Sequence, residues 1–279
     1  MTLTEPVDLT GMVDLHVHSG PDVRPRYADD LSVAAEAADA NMRAILLKSH
    51  VTLTADRAAI AESTVRGLRV LGGLVLNEAV GGLNPAAVEV ALRLGARCIW
   101  MPTLDAANHR HKHGKAGGIT VLDGDRQVRP VVHEILELIR EADVVMATGH
   151  LSVTESSVLV PAARQHGVNR VLITHPDTWF VAMPVDMQAA LAGEGAVLER
   201  TFVDTTAKPG SLSMDFVAQR IRTVGVPSTI LTTDLGQAHN PGPVAGLRSY
   251  LLELSVRGIV AADLQRMAAT TPAGLIGLD

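Results

Sequence analysis

Two histidines stand two positions apart in the segment Asp14-Leu-His-Val-His, where His16 and His18 follow an acidic residue. Side chains at positions i and i+2 of a β-strand point to the same side, so both imidazoles can ligate one ion. Imidazole nitrogen and carboxylate oxygen suit zinc, and also manganese, iron or nickel. Asp14 is interpreted as a structural group that orients a ligand histidine. The segment therefore predicts the beginning of a metal site.

Further polar side chains stand at the ends of apolar runs later in the chain. His150 follows Thr-Gly, His175 follows Ile-Thr, and Asp234 follows Thr-Thr. An open position on a bound metal holds water, whose pKa the ion lowers toward neutrality. Asp234 is the predicted acceptor of a proton from that water, and His175 or His150 could polarise a substrate carbonyl. The predicted metal ligands are His16, His18, His150, His175 and Asp234, of which Asp234 and His175 are also the predicted catalytic residues.

Lys48 and His50 are candidates for binding substrate. Lys48 ends a wholly apolar run, and a lysine in such a place needs a partner. It is interpreted as a cation that holds an anionic substrate or stabilises charge in the transition state. Glu199, in a later apolar run, either reaches the same site or pairs with its neighbour Arg200.

Arg24 and His109 complete the substrate-binding candidates. Arg24 follows the first strand, where it either clamps a carboxylate or phosphate or lies on the surface near acidic residues. His109 opens a run of alternating histidines that resembles a chelating tract but is predicted to be a solvated loop. His109 is close enough to the preceding apolar run to reach substrate. His133 and His166 are predicted to lie on helix surfaces and are given no role.

Eight short apolar runs alternate with helix-like segments along the chain. This rhythm predicts a (β/α)8 TIM barrel forming a single domain over residues 1–279, although a doubly wound sheet gives a similar rhythm. In a parallel barrel the carboxyl ends of all strands face one mouth, so we expect the polar residues to converge there. The predicted strands are Met12–His18, Arg43–Lys48, Val70–Leu76, Arg97–Pro102, Val144–Thr148, Arg170–Thr174, Ala196–Thr201 and Thr229–Thr233.

Composition restricts the classes of partner. The chain has 279 residues, is 47% hydrophobic and carries a net charge of −6 without any basic tract, which argues against nucleic-acid binding. Cys98 is the one cysteine, so there is no intrachain disulfide and no cysteine metal cluster. The N-terminus lacks the pattern of a signal peptide, and no apolar run is long enough to span a membrane. We expect a cytoplasmic, homo-oligomeric protein that acts on a small molecule.

The strand-end motifs together resemble the amidohydrolase superfamily. They are Asp14-Leu-His-Val-His, Thr-Gly-His150, Thr-His175-Pro and Thr-Thr-Asp234, and the ending Thr271-Pro-Ala-Gly-Leu-Ile-Gly-Leu is similar to that superfamily's C-terminal motif. The resemblance runs from residue 12 to the C-terminus. It implies a TIM barrel, one or two divalent metals and a metal-activated water. It also implies hydrolysis of an amide, a cyclic amide or an ester such as a lactone.

One departure bears on the number of metals. Many binuclear members carry a carboxylated lysine or a glutamate at the end of strand four, where this sequence has Met101-Pro-Thr. Lys48 could serve as a displaced carboxylated ligand, which is the less favoured interpretation. We therefore expect one tightly held ion, most simply zinc, with a second optional near His50, His150 and His175.

Three alternatives stay open. Single-metal barrels of this kind include non-oxidative decarboxylases, in which Lys48 would anchor a carboxylate. Phosphoesterases of the polymerase-and-histidinol-phosphatase type also open with Asp-Leu-His-x-His-Ser, but they close with Asp-x-His. Here Asp234 is followed by Leu-Gly, and the next histidine is His239. The last alternative is a metal-binding or ligand-binding barrel without activity.

Overall fold

The computed structural model describes residues 7–206 and 210–278. Eight parallel strands form one sheet in the order β1 to β8, which confirms the predicted (β/α)8 class. Each predicted strand overlaps an observed one to within two residues at either end. The strands are β1 Val13–Val17, β2 Ala44–Leu47, β3 Arg69–Val75, β4 Cys98–Trp100, β5 Val145–Ala147, β6 Val171–Ile173, β7 Val197–Thr201 and β8 Thr229–Thr232.

Helices separate the strands, and several begin at side chains that cap their first turn. The Ser152 hydroxyl accepts from the Glu155 amide while Glu155 reaches back to the cap, which satisfies amides that the helix leaves without partners. The helices are α1 Asp30–Asp39, α2 Ala55–Ser63, α3 Pro85–Arg93, α4 Ala107–Lys112, α5 Pro130–Ala142, α6 Val153–Gln165, α7 Val185–Gly193, α8 Met214–Val224, α9 Pro243–Val256, α10 Ala261–Gln265 and α11 Thr271–Leu275.

One segment differs from the sequence prediction. The alternating histidines were expected in a solvated loop, but the short helix α4 carries His109 and His111. The sequence gives little sign of this helix because it is six residues long and has no capping side chain. Residues 114–118, expected to be a loop, do lie outside helices and strands.

The chain divides into two compact units, and the first comprises Met1–Leu47, Arg57–Leu71 and Thr201–Asp279. In its described part β1 pairs with β2, with Val13 opposite Ala44. Every residue of β1 is buried, as expected for a barrel strand covered on both faces. Apolar side chains of α1, α8 and α9 form a core with these strands, and Tyr250 lies fully inside it.

The second unit comprises Lys48–Asp56 and Gly72–Arg200. Its strands are joined in parallel register from Gly73 opposite Cys98 to Leu172 opposite Val197. Helix α5 buries the stripe Val132, Ile135, Leu136 and Ile139, whose spacing is that of one helix face. No helix within residues 7–206 and 210–278 combines the length and apolarity that a membrane span requires.

Candidate functional site

Three predicted metal ligands come together in the first unit. Asp234 Oδ1 lies 3.1 Å from His16 Nε2 and 3.1 Å from His18 Nε2. One ligand atom from each residue lies within 4.8 Å of the other two. The histidines are buried, whereas the Asp234 side chain is 15% exposed. Two imidazole nitrogens and a carboxylate oxygen at this spacing fit a zinc-like ion with one side open to solvent.

Hydrogen bonds to the Asp14 carboxylate hold the backbone around this triad. Asp14 Oδ1 accepts from the amides of His16 at 3.2 Å and Thr233 at 3.1 Å. Its Oδ2 accepts from the Thr233 hydroxyl at 2.5 Å. The Asp234 amide donates to the His16 carbonyl at 2.8 Å, and the His18 amide donates to the Leu235 carbonyl at 2.8 Å. Asp14 therefore fixes the main chain that carries the ligands, in line with its predicted structural role.

The segment after β8 passes very close to β1. Asp234 adopts a left-handed backbone conformation, with φ of +50°. At Gly236 φ is +128°, and a Cβ placed there would stand 1.8 Å from the His18 carbonyl oxygen. Only glycine fits such an approach, because any side chain would displace the His18 backbone. Gly236 is thus part of what positions the triad.

The electrostatics of the triad suit metal ligation. Burial acts to raise the pKa of the Asp234 carboxyl, but His16 and His18 outweigh it and hold that pKa well below its ordinary value. Burial lowers the pKa of His18 to about 4, so the ring is neutral at neutral pH and can offer a lone pair. Burial raises the pKa of Asp14 to about 6, against the hydrogen bonds from Thr233 and His16.

The two arginines of the loop after β1 differ in their exposure to solvent. The Arg24 side chain is exposed, while Arg26 is buried in an ion pair with Asp22 at 2.8 Å. Asp30 forms its ion pair with Arg57, whose Nε lies 2.7 Å from Oδ2. Arg24 is therefore available to a ligand in solution, and its predicted role stays a prediction.

His150 lies at the centre of a ring cluster in the second unit. Its Nδ1 lies 2.9 Å from His109 Nδ1, so one of the two rings donates to the other. Ring centroids of His175 and Phe180 lie 4.9 Å and 4.7 Å from that of His150, and the His50 centroid lies 6.2 Å away. The structure thus brings together four of the histidines predicted from sequence.

Backbone geometry explains how His150 is held. Gly149 has φ of +60°, and a Cβ there would stand 2.3 Å from the Met101 carbonyl oxygen. The His150 amide donates to the Pro102 carbonyl at 2.9 Å, and the Asn108 side chain donates to the His150 carbonyl at 3.1 Å. Burial, followed by the charges of His175 and other cationic neighbours, lowers the pKa of His150 well below its ordinary value.

Lys48 lies inside the second unit rather than on its surface. It is 2% exposed, and its Nζ lies 5.2 Å from the centroid of the Trp100 ring. A cation over an indole face gains electrostatic stabilisation from the ring. Lys48 directly follows β2, and its charge affects both Cys98 and His150.

Two polar groups that the sequence did not single out support His50. Asn77 donates to the His50 carbonyl at 3.0 Å and to the Thr103 hydroxyl at 2.8 Å. Thr103 Oγ1 in turn lies 2.9 Å from His50 Nδ1. Asn77 stands at the end of the third predicted strand, and its position was the signal that could have identified it.

Glu199 is also positioned among the polar strand ends. It is fully buried, and its Oε2 accepts from the His175 amide at 3.2 Å. Arg200 forms a short ion pair with Asp177, which also accepts from Gln188 at 2.8 Å. Glu199 therefore bonds to the backbone that follows β6, and both interpretations given for it stay predictions.

Comparison with known proteins identifies the family. The sequence model of one family, described as a family of unknown function (DUF6282), matches residues 11–199. Because this is more than half of the chain, the chain belongs to that family. No match is found among curated proteins.

Solved structures share the fold across nearly the whole chain. A provisionally named 2-pyrone-4,6-dicarboxylic acid hydrolase from Pseudomonas putida has a TM-score of 0.67 at 18% identity, covering 98% of this chain and 99% of that one. A lactonase from Listeria monocytogenes has a TM-score of 0.65 at 12% identity, covering 98% and 96%. A 2,6-dihydroxybenzoate decarboxylase from Rhizobium has a TM-score of 0.58 at 14% identity, covering 97% and 99%. These neighbours are amidohydrolase-superfamily proteins, which confirms the predicted resemblance at the level of the fold.

Proposed function

We propose that this protein is a metal-dependent hydrolase that cleaves an amide, a cyclic amide or an ester such as a lactone in a small molecule. The observation that carries the proposal is the triad of His16, His18 and Asp234, whose ligand atoms lie within 4.8 Å of one another. These three residues would hold a divalent ion, which would supply water of lowered pKa as a nucleophile at physiological pH. Structural neighbours named as a hydrolase and a lactonase support the same reaction class.

The three side chains of the triad have separate roles in this proposal. His16 and His18 would offer imidazole nitrogens to the ion, and both side chains are buried. Asp234 is partly exposed, and its carboxylate would accept a proton from the attacking water and return it to the leaving group. Zinc is the first choice of metal, because the donor set is two imidazoles and a carboxylate.

Residues of the second unit are proposed to bind the substrate. His175 and His150 would polarise its carbonyl, and Lys48, His50 and His109 would bind its other polar groups. Arg24, in the first unit, is a further candidate for an anionic group. The support is that these residues follow carboxyl ends of strands in a (β/α)8 fold, where catalytic residues of such proteins lie. The proposed ligation of metal by His150 and His175 has the same support.

The deciding experiment measures metal and activity together. Purified protein is analysed for bound metal and assayed against a panel of lactones, cyclic amides and linear amides. We expect one tightly bound divalent ion per chain, and we expect the His16→Ala and His18→Ala variants to lose both the ion and the activity. His239→Ala is the matched control, because His239 is exposed and lies five residues after Asp234. Retained stoichiometric metal in the His16→Ala and His18→Ala double variant would overturn the proposal.

Non-oxidative decarboxylation is the second candidate. The observation that favours it is Lys48, a buried cation that acts on His150 and is suited to hold a carboxylate. One structural neighbour is named a decarboxylase. Release of carbon dioxide from carboxylate substrates, without hydrolysis products, would decide for this reaction.

Oligomeric state and location are proposed with the function. We expect a homo-oligomer, for which the support is apolar residues on helix surfaces, and we expect it in the cytoplasm. Sedimentation of the purified protein and fractionation of the source cells test the two expectations.

A further inference from the structure

An imidazole pair lies outside both groups of residues described above. His133 is on α5, and His166 caps the C-terminal end of α6. His133 Nδ1 lies 2.7 Å from His166 Nε2, and the ring centroids are 4.9 Å apart. Both side chains are half-buried. At this distance one ring donates its N–H to the lone pair of the other. The hydrogen bond therefore keeps two ring nitrogens from different helices close together.

A carboxylate stands one helical turn from His133 on α5. Glu137 follows His133 by four positions on α5, which places both side chains on one helix face. Hydrogen bonding to Arg140 lowers the pKa of Glu137, and the charge of His166 adds to that effect. Glu137 binds Arg140 through both oxygens, at 3.1 Å to Nε and 2.5 Å to the Nη2 nitrogen. As a metal ligand, Glu137 would exchange its contact with Arg140 for one with the ion.

The electrostatic surroundings favour a cation. The last carbonyl groups of a helix carry a partial negative charge, and His166 stands at that end of α6. The acidic residues Glu134 and Glu141 are also on α5, and Glu141 lies 3.5 Å from Arg140. The positive charge of Arg140 opposes cation binding. Its side chain lies near His166, because its Cδ would stand 3.4 Å from a Cβ built at the next residue, Gly167.

We propose that His133 and His166, with Glu137 as third ligand, bind a borderline transition-metal ion such as copper, nickel or zinc. Ligand nitrogens about 2.0–2.1 Å from a tetrahedral ion stand roughly 3.3 Å apart, so the rings would separate by about half an ångström and turn until both lone pairs face the ion. In the described part of the chain, three ligand atoms already stand at binding distance only in the triad of His16, His18 and Asp234. The pair on α5 and α6 is therefore the weaker of the two sites.

This inference changes how a metal analysis is interpreted. A second ion per chain would ordinarily suggest a binuclear active site with Lys48 as a carboxylated bridge. With a separate site on α5 and α6, a second ion can instead bind far along the sequence from the triad and have no part in catalysis.

The test is equilibrium dialysis of tag-free protein against Mn²⁺, Ni²⁺, Cu²⁺ or Zn²⁺, followed by elemental analysis. We expect one weaker equivalent beyond the ion of the triad, with affinity rising from Mn²⁺ through Ni²⁺ to Cu²⁺. Losing a group that only supports a ligand costs about 10–100-fold in affinity, and His133→Gln or His166→Gln should cost at least as much. Glu137→Gln should give a smaller loss, and His239→Gln none.

Melting temperatures measured with and without metal distinguish loss of the site from loss of folding. Metal should raise the Tm of wild type beyond that of His166→Gln, because the site joins two helices. Tm values without metal show whether each variant folds. Unchanged binding of the weaker equivalent in both histidine variants, or the absence of any such equivalent in wild type, would overturn the proposal. Loss of the tight ion from the triad variants alone tests the proposed hydrolase and leaves this site unaffected.

Discussion

At Asp234 one carboxylate oxygen lies 3.1 Å from the Nε2 atoms of both His16 and His18. The side chains are thus arranged around a common point by the fold itself. The bonds between Asp14 and Thr233 hold the backbone from which the three side chains extend. Because the fold already positions the three side chains, we expect substitutions in the triad to weaken metal binding while the protein still folds.

Replacing Asp234 with Asn keeps the shape of the side chain but removes its charge and its basicity. We expect metal affinity to fall about 10–100-fold. Turnover at saturating metal should fall about 10²–10⁴-fold, the usual contribution of a positioned general base. Metal titration and steady-state kinetics measure the two effects. Asp143→Asn, at an exposed ion pair with Arg170, is the control. Equal turnover in Asp234→Asn and wild type would rule out the proton-transfer role.

Replacing Thr233 with Val removes the hydroxyl that donates to the buried Asp14 carboxylate at 2.5 Å. A buried acceptor that loses its donor costs about 1–3 kcal/mol. We expect the free energy of unfolding to fall by that amount in urea titrations. Thr223→Val is the matched control, because Thr223 is exposed on α8, and it should change stability by less than about 0.5 kcal/mol. A neutral effect of Thr233→Val would mean that Asp14 does not depend on this bond.

Among the elements, the segment that follows β8 passes close to the backbone at the end of β1. We expect Gly236→Ala to destabilise the protein by at least about 1–3 kcal/mol, since φ is +128° and the added Cβ would overlap the His18 carbonyl. Metal affinity should fall as well, because His18 must move. Urea titration and metal titration measure these changes.

Gly124→Ala is the comparison for that substitution. Gly124 has no atom within 4 Å of an added Cβ, so the change should be close to neutral. If Gly236→Ala and Gly124→Ala gave the same stability and the same metal affinity, the proposed role of Gly236 would be wrong.

The sequence predicts strands better than it predicts the polar network between them. Apolar runs that end in polar residues identify all eight strands, because burial on both faces leaves a strong compositional signal. His16 and His18 are recognised from the period of a strand. Asn77 escapes notice because a single amide has no distinctive spacing, and its three bonds to His50 and Thr103 exist only after the chain folds. Helix α4 is missed because six residues carry no clear periodicity.

On the scale of the whole molecule, the division into two compact units has no marker in the sequence. Each unit draws on separate stretches of the chain, and no change of composition or linker separates Leu47 from Lys48. The sequence predicts a single domain from length and rhythm alone. The two units are defined by tertiary contacts between separate segments of the chain. The amino-acid composition does not encode these contacts.

Cys98 offers a probe of global opening. It is 2% exposed, and burial, with the charge of Glu199, raises its thiol pKa against the opposing charge of Lys48. Thiolate is the reactive form, so native protein should not react with a chromogenic disulfide reagent at neutral pH. In denaturant one thiol per chain should react at the rate of a small-molecule thiol. Fast reaction of the native protein would show that this part of the interior opens locally.

The bond between Asp14 and Thr233 joins positions 219 apart in the chain. A ribosome adds about 5–20 residues per second, so His16 and His18 are made roughly ten to forty seconds before Asp234. During that interval the growing polypeptide has two imidazoles but lacks the carboxylate that completes the triad. Tight metal uptake should therefore begin only after synthesis passes residue 234, and a ribosome-stalled fragment that ends earlier should lose its ion to a mild chelator.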